Sequence, residues 1–168
     1  MKTMIAAACA IGLVVALSGV QANAAEDPAD FVKTAIRGNI AEIQMGELAE
    51  KKAKNPRVQE LGKTLVNDHQ KAKAQSVELA KDMKIDPPTK PTEDAKETHD
   101  LLAKLSGEKF DEEFVEVAVK DHKKDIDLYS EQIEDGRNKK VVEYARKTLP
   151  VLEKHLAFAQ KLEGKVSN

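Results

Sequence analysis

FVKTAIRGNIAEI (residues 31–43) and FVEVAVKDHKKDI (residues 114–126) are two versions of one segment, set 83 residues apart. Phe31/Phe114, Val32/Val115, Ala35/Ala118 and Ile43/Ile126 are identical. Ile36/Val119, Arg37/Lys120 and Glu42/Asp125 keep size or charge. The offset continues without a gap through Asn55/Asn138, Val58/Val141 and Glu60/Glu143 to Lys63/Arg146. One register held across a helix, a turn and the next helix describes a duplicated helical hairpin.

Upstream of the first copy, Lys2 precedes an apolar run, residues 4–20, that closes on Ala22-Asn23-Ala24. A charged start, a short apolar stretch and an A-x-A site predict a signal peptide over residues 1–24, cut after Ala24. The run is as long as the shortest membrane-spanning helices, but its Ala/Gly content and the cleavage site argue against an anchor. A lipid anchor would need a cysteine at the cut, and the one cysteine, Cys9, lies too early. The expectation is an exported, periplasmic protein with no stable membrane insertion after signal cleavage.

Residues 25–168 suffice for a single domain. They carry 26 basic against 29 acidic residues, well mixed along the chain. No basic face for nucleic acid is indicated, and the partner expected is an unidentified envelope component rather than a nucleic acid. With Cys9 removed no disulfide can form, so stability must come from packing. A monomer is expected.

Asp27-Pro28 supplies an N-cap and a proline at the first helical position, and Asn55-Pro56 repeats the signal. The first helix is expected to run to about Ala53. One of its faces reads Val32, Ile36, Ile40, Ile43. The adjoining strip reads Ala35, Asn39, Glu42, Gly46, Ala49, Ala53, whose small residues let a second helix come close. The second helix, to about Met83, has the seam Val58, Leu61, Leu65, His69, Ala72, Ser76, Leu79, Met83. Pro87-Pro88 and Pro91 stop it. A short crossover helix, residues 93–105, is expected to end at Gly107. The third long helix, residues 109–135, buries Phe114, Val115, Ala118, Val119, His122, Ile126, Tyr129 and Ile133, with Gly136 as its C′ residue. The fourth, residues 138–162, has the seam Val142, Ala145, Leu149, Leu152, Leu156, Ala159 and carries Pro150 inside it. With only 4% aromatic residues and no strand-like alternation, the reading is an all-α, four-helix bundle with a long crossover in the middle.

Four histidines remain after cleavage. His99, among acidic neighbours on the crossover helix, reads as a surface residue. His69, His122 and His155 fall on three different long helices. Counted from the turn at Asn55, Glu42 and His69 stand level, about 20 Å away at 1.5 Å per residue. Through the repeat His122 takes the place of Asn39, and Asp125 that of Glu42. His155 lies one turn beyond the equivalent of His69, where it can join the layer or sit at the bundle edge. Glu42, His69, His122, Asp125 and His155 are therefore the candidate metal ligands, and imidazole with carboxylate suits Zn, Fe, Mn or Cu. Asp68 and Asp121 each precede a histidine, but neighbours on a helix point about 100° apart and serve their own histidine poorly. The competing reading is a structural layer of hydrogen-bonded His–carboxylate pairs that fixes helix register in a non-catalytic interaction module. There is no Ser–His–Asp arrangement, Gly-rich phosphate loop or Cys cluster, so catalysis is not expected.

The signal peptide, the first hairpin to Asp68-His69, FDEEFVEVAVKDH (residues 110–122) and LPVLEKHL (residues 149–156) together resemble a bacterial envelope family. It is known as domain of unknown function 4142, and its members often carry the label "putative outer membrane protein". The resemblance spans the whole mature chain and implies a ferritin-like helical fold, and the leading expectation is a non-enzymatic periplasmic bundle with a role in envelope maintenance or stress. Ferritin-like di-iron proteins need two Glu-x-x-His motifs. Here Val66 and Leu152 stand three residues before His69 and His155, so a metal oxidase of that type ranks last. A mononuclear or degenerate site is the most the residues support.

Overall fold

The computed structural model describes residues 25–166, which form five helices and no strand. The predicted leader, residues 1–24, lies outside the described residues. Helix α1 (Pro28–Lys52) and α2 (Pro56–Asp82) form the first hairpin, and α4 (Gly107–Asp135) and α5 (Lys139–Val166) form the second. The short α3 (Glu93–Leu102) lies between them.

The two hairpin turns are built alike. Ala53 and Gly136 end their helices with nearly the same backbone, φ −63°, ψ 135° and φ −65°, ψ 136°. Asn55 accepts the Arg57 N–H through its side chain, and Asn138 does the same for Lys140. Duplication thus extends from residue types to cap geometry. Gly136 is not the left-handed C′ residue expected from its sequence. Its φ is ordinary, and a side chain there is excluded because a Cβ would press on Gln132 and Val142.

Contacts along the bundle fix the helix directions. Asp68, Ala72 and Asp82 on α2 meet His155, Tyr144 and Lys140 on α5 in reverse order. Helix α2 therefore runs antiparallel to α5 and parallel to α4, as the long crossover demands. That crossover is shorter in helix than predicted. After Leu102 the chain makes i→i+3 bonds from Lys104 and Leu105. Gly107 then opens α4 at φ +63°, a left-handed conformation that glycine adopts without cost, instead of ending α3.

Burial follows the helical periodicity with corrections on three helices, and on α4 Ile126 and Ile133, expected to be buried, are only partly so. On α1 the strip Ala35, Asn39, Glu42, Gly46, Ala49 is buried throughout, whereas Ile43 is half exposed. On α5 the buried ridge is Val141, Tyr144, Ala145, Thr148, Leu152, His155, Ala159, Leu162, and Val142, Leu149 and Leu156 flank it. The ridge is rotated toward α2, against which α5 also packs. Two apolar cores result. One, around Leu65, Phe110, Phe114 and Leu162, lies at the α1–α2 turn. The other, around Phe31, Ile36, Tyr129 and Val141, lies at the α4–α5 turn. The buried polar residues Asn39, Glu42, His69, His122 and His155 occupy the level between them.

Asp111, 3% exposed and not singled out by the sequence pattern, ties the hairpins together. Its two carboxylate oxygens accept the backbone N–H groups of Lys54 (3.1 Å) and Asn55 (2.7 Å) in the α1–α2 turn. Asp111→Ala is expected to lower stability by about 2 kcal/mol, because two donors lose a charged acceptor, while Asp111→Asn loses about half as much. Urea denaturation of the two variants checks the order. An Ala variant as stable as the parent shows the turn to be held otherwise.

Candidate metal centre

His69 on α2, His122 on α4 and His155 on α5 are 3%, 1% and 2% exposed. Their ring centroids lie 5.8, 5.2 and 5.2 Å apart. One nitrogen from each ring lies within 4.8 Å of those of the other two. His155 is thus fully part of the layer and not at the bundle edge. His155 stands one turn beyond the level of His69 in the repeat, yet side chains lean toward the N-terminus of their own helix. In the antiparallel pair α4–α5, His122 leans away from the turn and His155 toward it, so the two rings meet.

The outward nitrogen of each ring is committed. His69 Nδ1–H donates to Asn39 Oδ1 at 2.8 Å, and the Asn39 amide donates to the Ala35 carbonyl and the Tyr144 hydroxyl. His122 Nδ1–H donates to the Ala118 carbonyl at 2.9 Å, one turn back on its own helix. His155 Nε2–H donates to Asp68 Oδ2 at 3.3 Å. These bonds set the tautomers and leave lone pairs on His69 Nε2, His122 Nε2 and His155 Nδ1. Asp68 therefore orients His155 on the neighbouring helix, not the adjacent His69, a partnership that only the packing of α2 on α5 reveals.

Two consequences follow. His122 Nε2 and His155 Nδ1 face each other at 3.2 Å, and with both outward nitrogens protonated, two lone pairs confront one another. His69 Nε2 is buried with no hydrogen-bond partner. A cation placed among the three nitrogens satisfies all of these lone pairs at once, whereas a single donor O–H satisfies one. A proton is a poor candidate, because burial and the neighbouring His122 depress the His155 pKa to about 4. Burial and the other two rings push His69 well below its ordinary value, and burial likewise lowers His122. With His155 neutral, its contact with Asp68 is a hydrogen bond and not an ion pair. Two nitrogens bound about 2.05 Å from one ion at a near-tetrahedral angle are about 3.3 Å apart, which matches the His122–His155 separation.

The predicted carboxylates stand apart from this triad. Counted from helix ends, Asn39 lies 13 residues before Lys52 and His69 lies 13 after Pro56. Asn39, not Glu42, is therefore level with His69, because residues 53–55 are spent on the turn. Asp125 feels the charge of Glu42, and Glu42 that of Asp121. Burial and then Asp121 push the Glu42 pKa up to about 8, and burial and then Glu42 push Asp125 up to about 7. At neutral pH Glu42 is therefore mostly protonated, while Asp125 is near its midpoint. Burial pushes Asp68 up too, but hydrogen bonds from Lys71 and His155 outweigh it and keep this carboxylate ionised. His99 is on the surface helix as expected, hydrogen-bonded to Asp100.

The metal-free protein should show a pH profile with two sources of loss. Raised carboxyl pKa values stabilise the fold below about pH 4.5, and the contribution drains away as pH rises toward 8. Depressed histidine pKa values act oppositely, and that contribution is lost as pH falls from about 6.5 toward 4. The two trends offset between about pH 4.5 and 6.5, and above that only the carboxyl loss remains. Glu42→Gln is expected to raise stability at pH 8 by roughly 1–3 kcal/mol and flatten the alkaline fall. Melting temperatures of the two proteins from pH 4 to 9 measure it. An alkaline fall of equal slope in both would show that Glu42 ionises freely.

Among the described residues no helix is long and apolar enough to cross a membrane. The family described as "Domain of unknown function (DUF4142)" matches residues 16–162. No match is found among curated proteins. Two crystal structures share the fold. A DUF305 fragment from Deinococcus radiodurans is 12% identical with a TM-score of 0.73, covering 84% of this chain and 98% of that one. A "putative secreted protein DUF305" from Streptomyces coelicolor is 8% identical with a TM-score of 0.69, covering 84% of this chain and 94% of that one. At such identities the likeness concerns the helical bundle alone.

Proposed function

The chain belongs to the DUF4142 family, and from that premise we propose that it is an exported, non-catalytic metal-binding bundle of the bacterial envelope. His69 Nε2, His122 Nε2 and His155 Nδ1 are the ligands, and Asn39, the Ala118 carbonyl and Asp68 orient them. One observation carries the reading. Three buried imidazoles, each with its outer N–H engaged, bring their free nitrogens within 4.8 Å of one another. Such outer partners fix ring orientation and raise ligand basicity in metal sites.

The donor set narrows the metal. Three neutral nitrogens without carboxylate or thiolate suit zinc or copper better than manganese or iron, which favour harder or mixed sets. Glu42 and Asp125 are not ligands in this reading. A protein that shares the fold is described as a "putative secreted protein", which together with the predicted leader supports export to the periplasm, and the role in envelope maintenance or stress is part of the same proposal. The test is metal content. Residues 25–168, purified and equilibrated with zinc or copper, should retain about one ion per chain after desalting, and His69→Ala should retain none. A parent protein that leaves the column empty ends the proposal.

A further inference from the structure

A cavity of about 170 Å³ opens between α2 and α5, lined by Asp68, His69, Ala72, Lys147, Val151 and His155 among others. Two of the three ligating rings thus form part of its wall. His122 is not in the lining and closes the site from the α4 side. Ala72, Val151 and Leu152 make the rest of the wall mostly apolar, Gln75 and Thr148 add two polar side chains, and Lys71 and Lys147 stand at the rim, about seven-tenths exposed. Lys71 is paired with Asp68 at 2.9 Å and Lys147 with Glu143 at 2.7 Å, so the rim is close to neutral.

Resting on the metal reading above, we infer that the bound ion keeps one exchangeable position, that this position is reached through the α2–α5 cavity, and that it takes a small inorganic anion. Three arguments meet here. A tetrahedral ion held by three protein nitrogens has one position to spare, and structural sites, by contrast, fill all four. The nearest carboxyl groups that would fill it do not belong to the triad. Asp68 is turned to His155 Nε2, and Glu42 and Asp125 lie off the cavity wall. Charge decides the class of ligand. Neutral imidazoles leave a divalent ion with its full charge in a buried setting, so an anion is favoured over a neutral molecule there. Size decides the rest, because the cavity holds a handful of water molecules or one compact anion and not a nucleotide or peptide.

The probe is azide, added to the full mature chain loaded with cobalt(II), whose visible bands report both occupancy and coordination. The expected result is four-coordinate cobalt bands that shift saturably with azide. Val151→Phe, which fills part of the cavity and replaces no ligand, should leave cobalt bound and weaken azide about tenfold or more. Lys147→Glu, which reverses a charge at the rim, should weaken it about fivefold. If cobalt gives no ligand-field bands at all, the metal reading itself fails and this inference with it. If cobalt binds but azide leaves the bands unmoved, the metal reading stands and the open position is refuted. If azide binds the Val151→Phe and Lys147→Glu proteins as tightly as the parent, access through this cavity is refuted.

Discussion

Zinc or copper added to chelator-treated protein is expected to raise its melting temperature by roughly 8–12 °C, and chelator to reverse the gain. An ion that binds only the folded state contributes RT ln(1 + [L]/Kd), about 2.7 kcal/mol at 100 times Kd and 4.1 at 1,000 times. In a domain of this size about 1 kcal/mol moves the midpoint by about 3 °C. His122→Ala should abolish the response, because its Nε2 lies 3.2 Å from the next ligand at the centre of the triad. His99→Ala, on the exposed crossover helix, should leave it intact. The metal-free comparison is equally informative. If the layer is a structural device in an interaction module, the parent ignores metal and His122→Ala is destabilised by about 1–3 kcal/mol, since the Ala118 carbonyl loses a buried partner. If metal is the purpose, removing one of two facing lone pairs relieves repulsion, and the metal-free His122→Ala protein loses less than a cavity of that size would cost. A parent whose midpoint does not move with either metal removes the metal proposal.

Gly46→Leu is expected to cost about 3 kcal/mol or more, near 10 °C in midpoint, despite a helix propensity gain of almost 1 kcal/mol. A Cβ at Gly46 would stand 2.6 Å from the Gly62 carbonyl oxygen and 2.8 Å from Val66 Cγ2. At Gly62 it would stand 2.8 Å from the Gly46 carbonyl oxygen. The two helices touch backbone to backbone, so no side chain can swing aside and the helices must separate. Separation also pulls Asn39 from His69, which are 2.8 Å apart on the same two helices two turns away. Gly46→Leu should therefore weaken metal affinity as well as stability. Gly38 offers the control. Nothing lies within 4 Å of a Cβ there, so Gly38→Ala should stabilise by up to about 1 kcal/mol. Calorimetry of the three proteins tests the contrast, and a Gly46→Leu variant melting at or above the parent would falsify the close α1–α2 packing.

The sequence by itself determined the helices, the duplication and the polar level of the bundle. Asp27-Pro28 and Asn55-Pro56 fix two helix starts through local cap chemistry, which acts over three residues and needs no tertiary context. The 83-residue repeat fixes two hairpins, and the periodicity of α1 places Asn39 and Glu42 on the strip that meets α2. Which groups at that level touch follows from the packing of the helices. Height across a hairpin depends on how many residues the turn consumes, and that put Asn39 rather than Glu42 opposite His69. Reach depends on the lean of each side chain along its helix, and that brought His155 to His122 from one turn further on. Contact between hairpins depends on the rotation of α5 toward α2, which the repeat does not encode because it is internal to each hairpin. Hence Asp68 serves His155, Glu42 and Asp125 are left outside the triad with raised pKa values, and three histidines from three helices converge on one point.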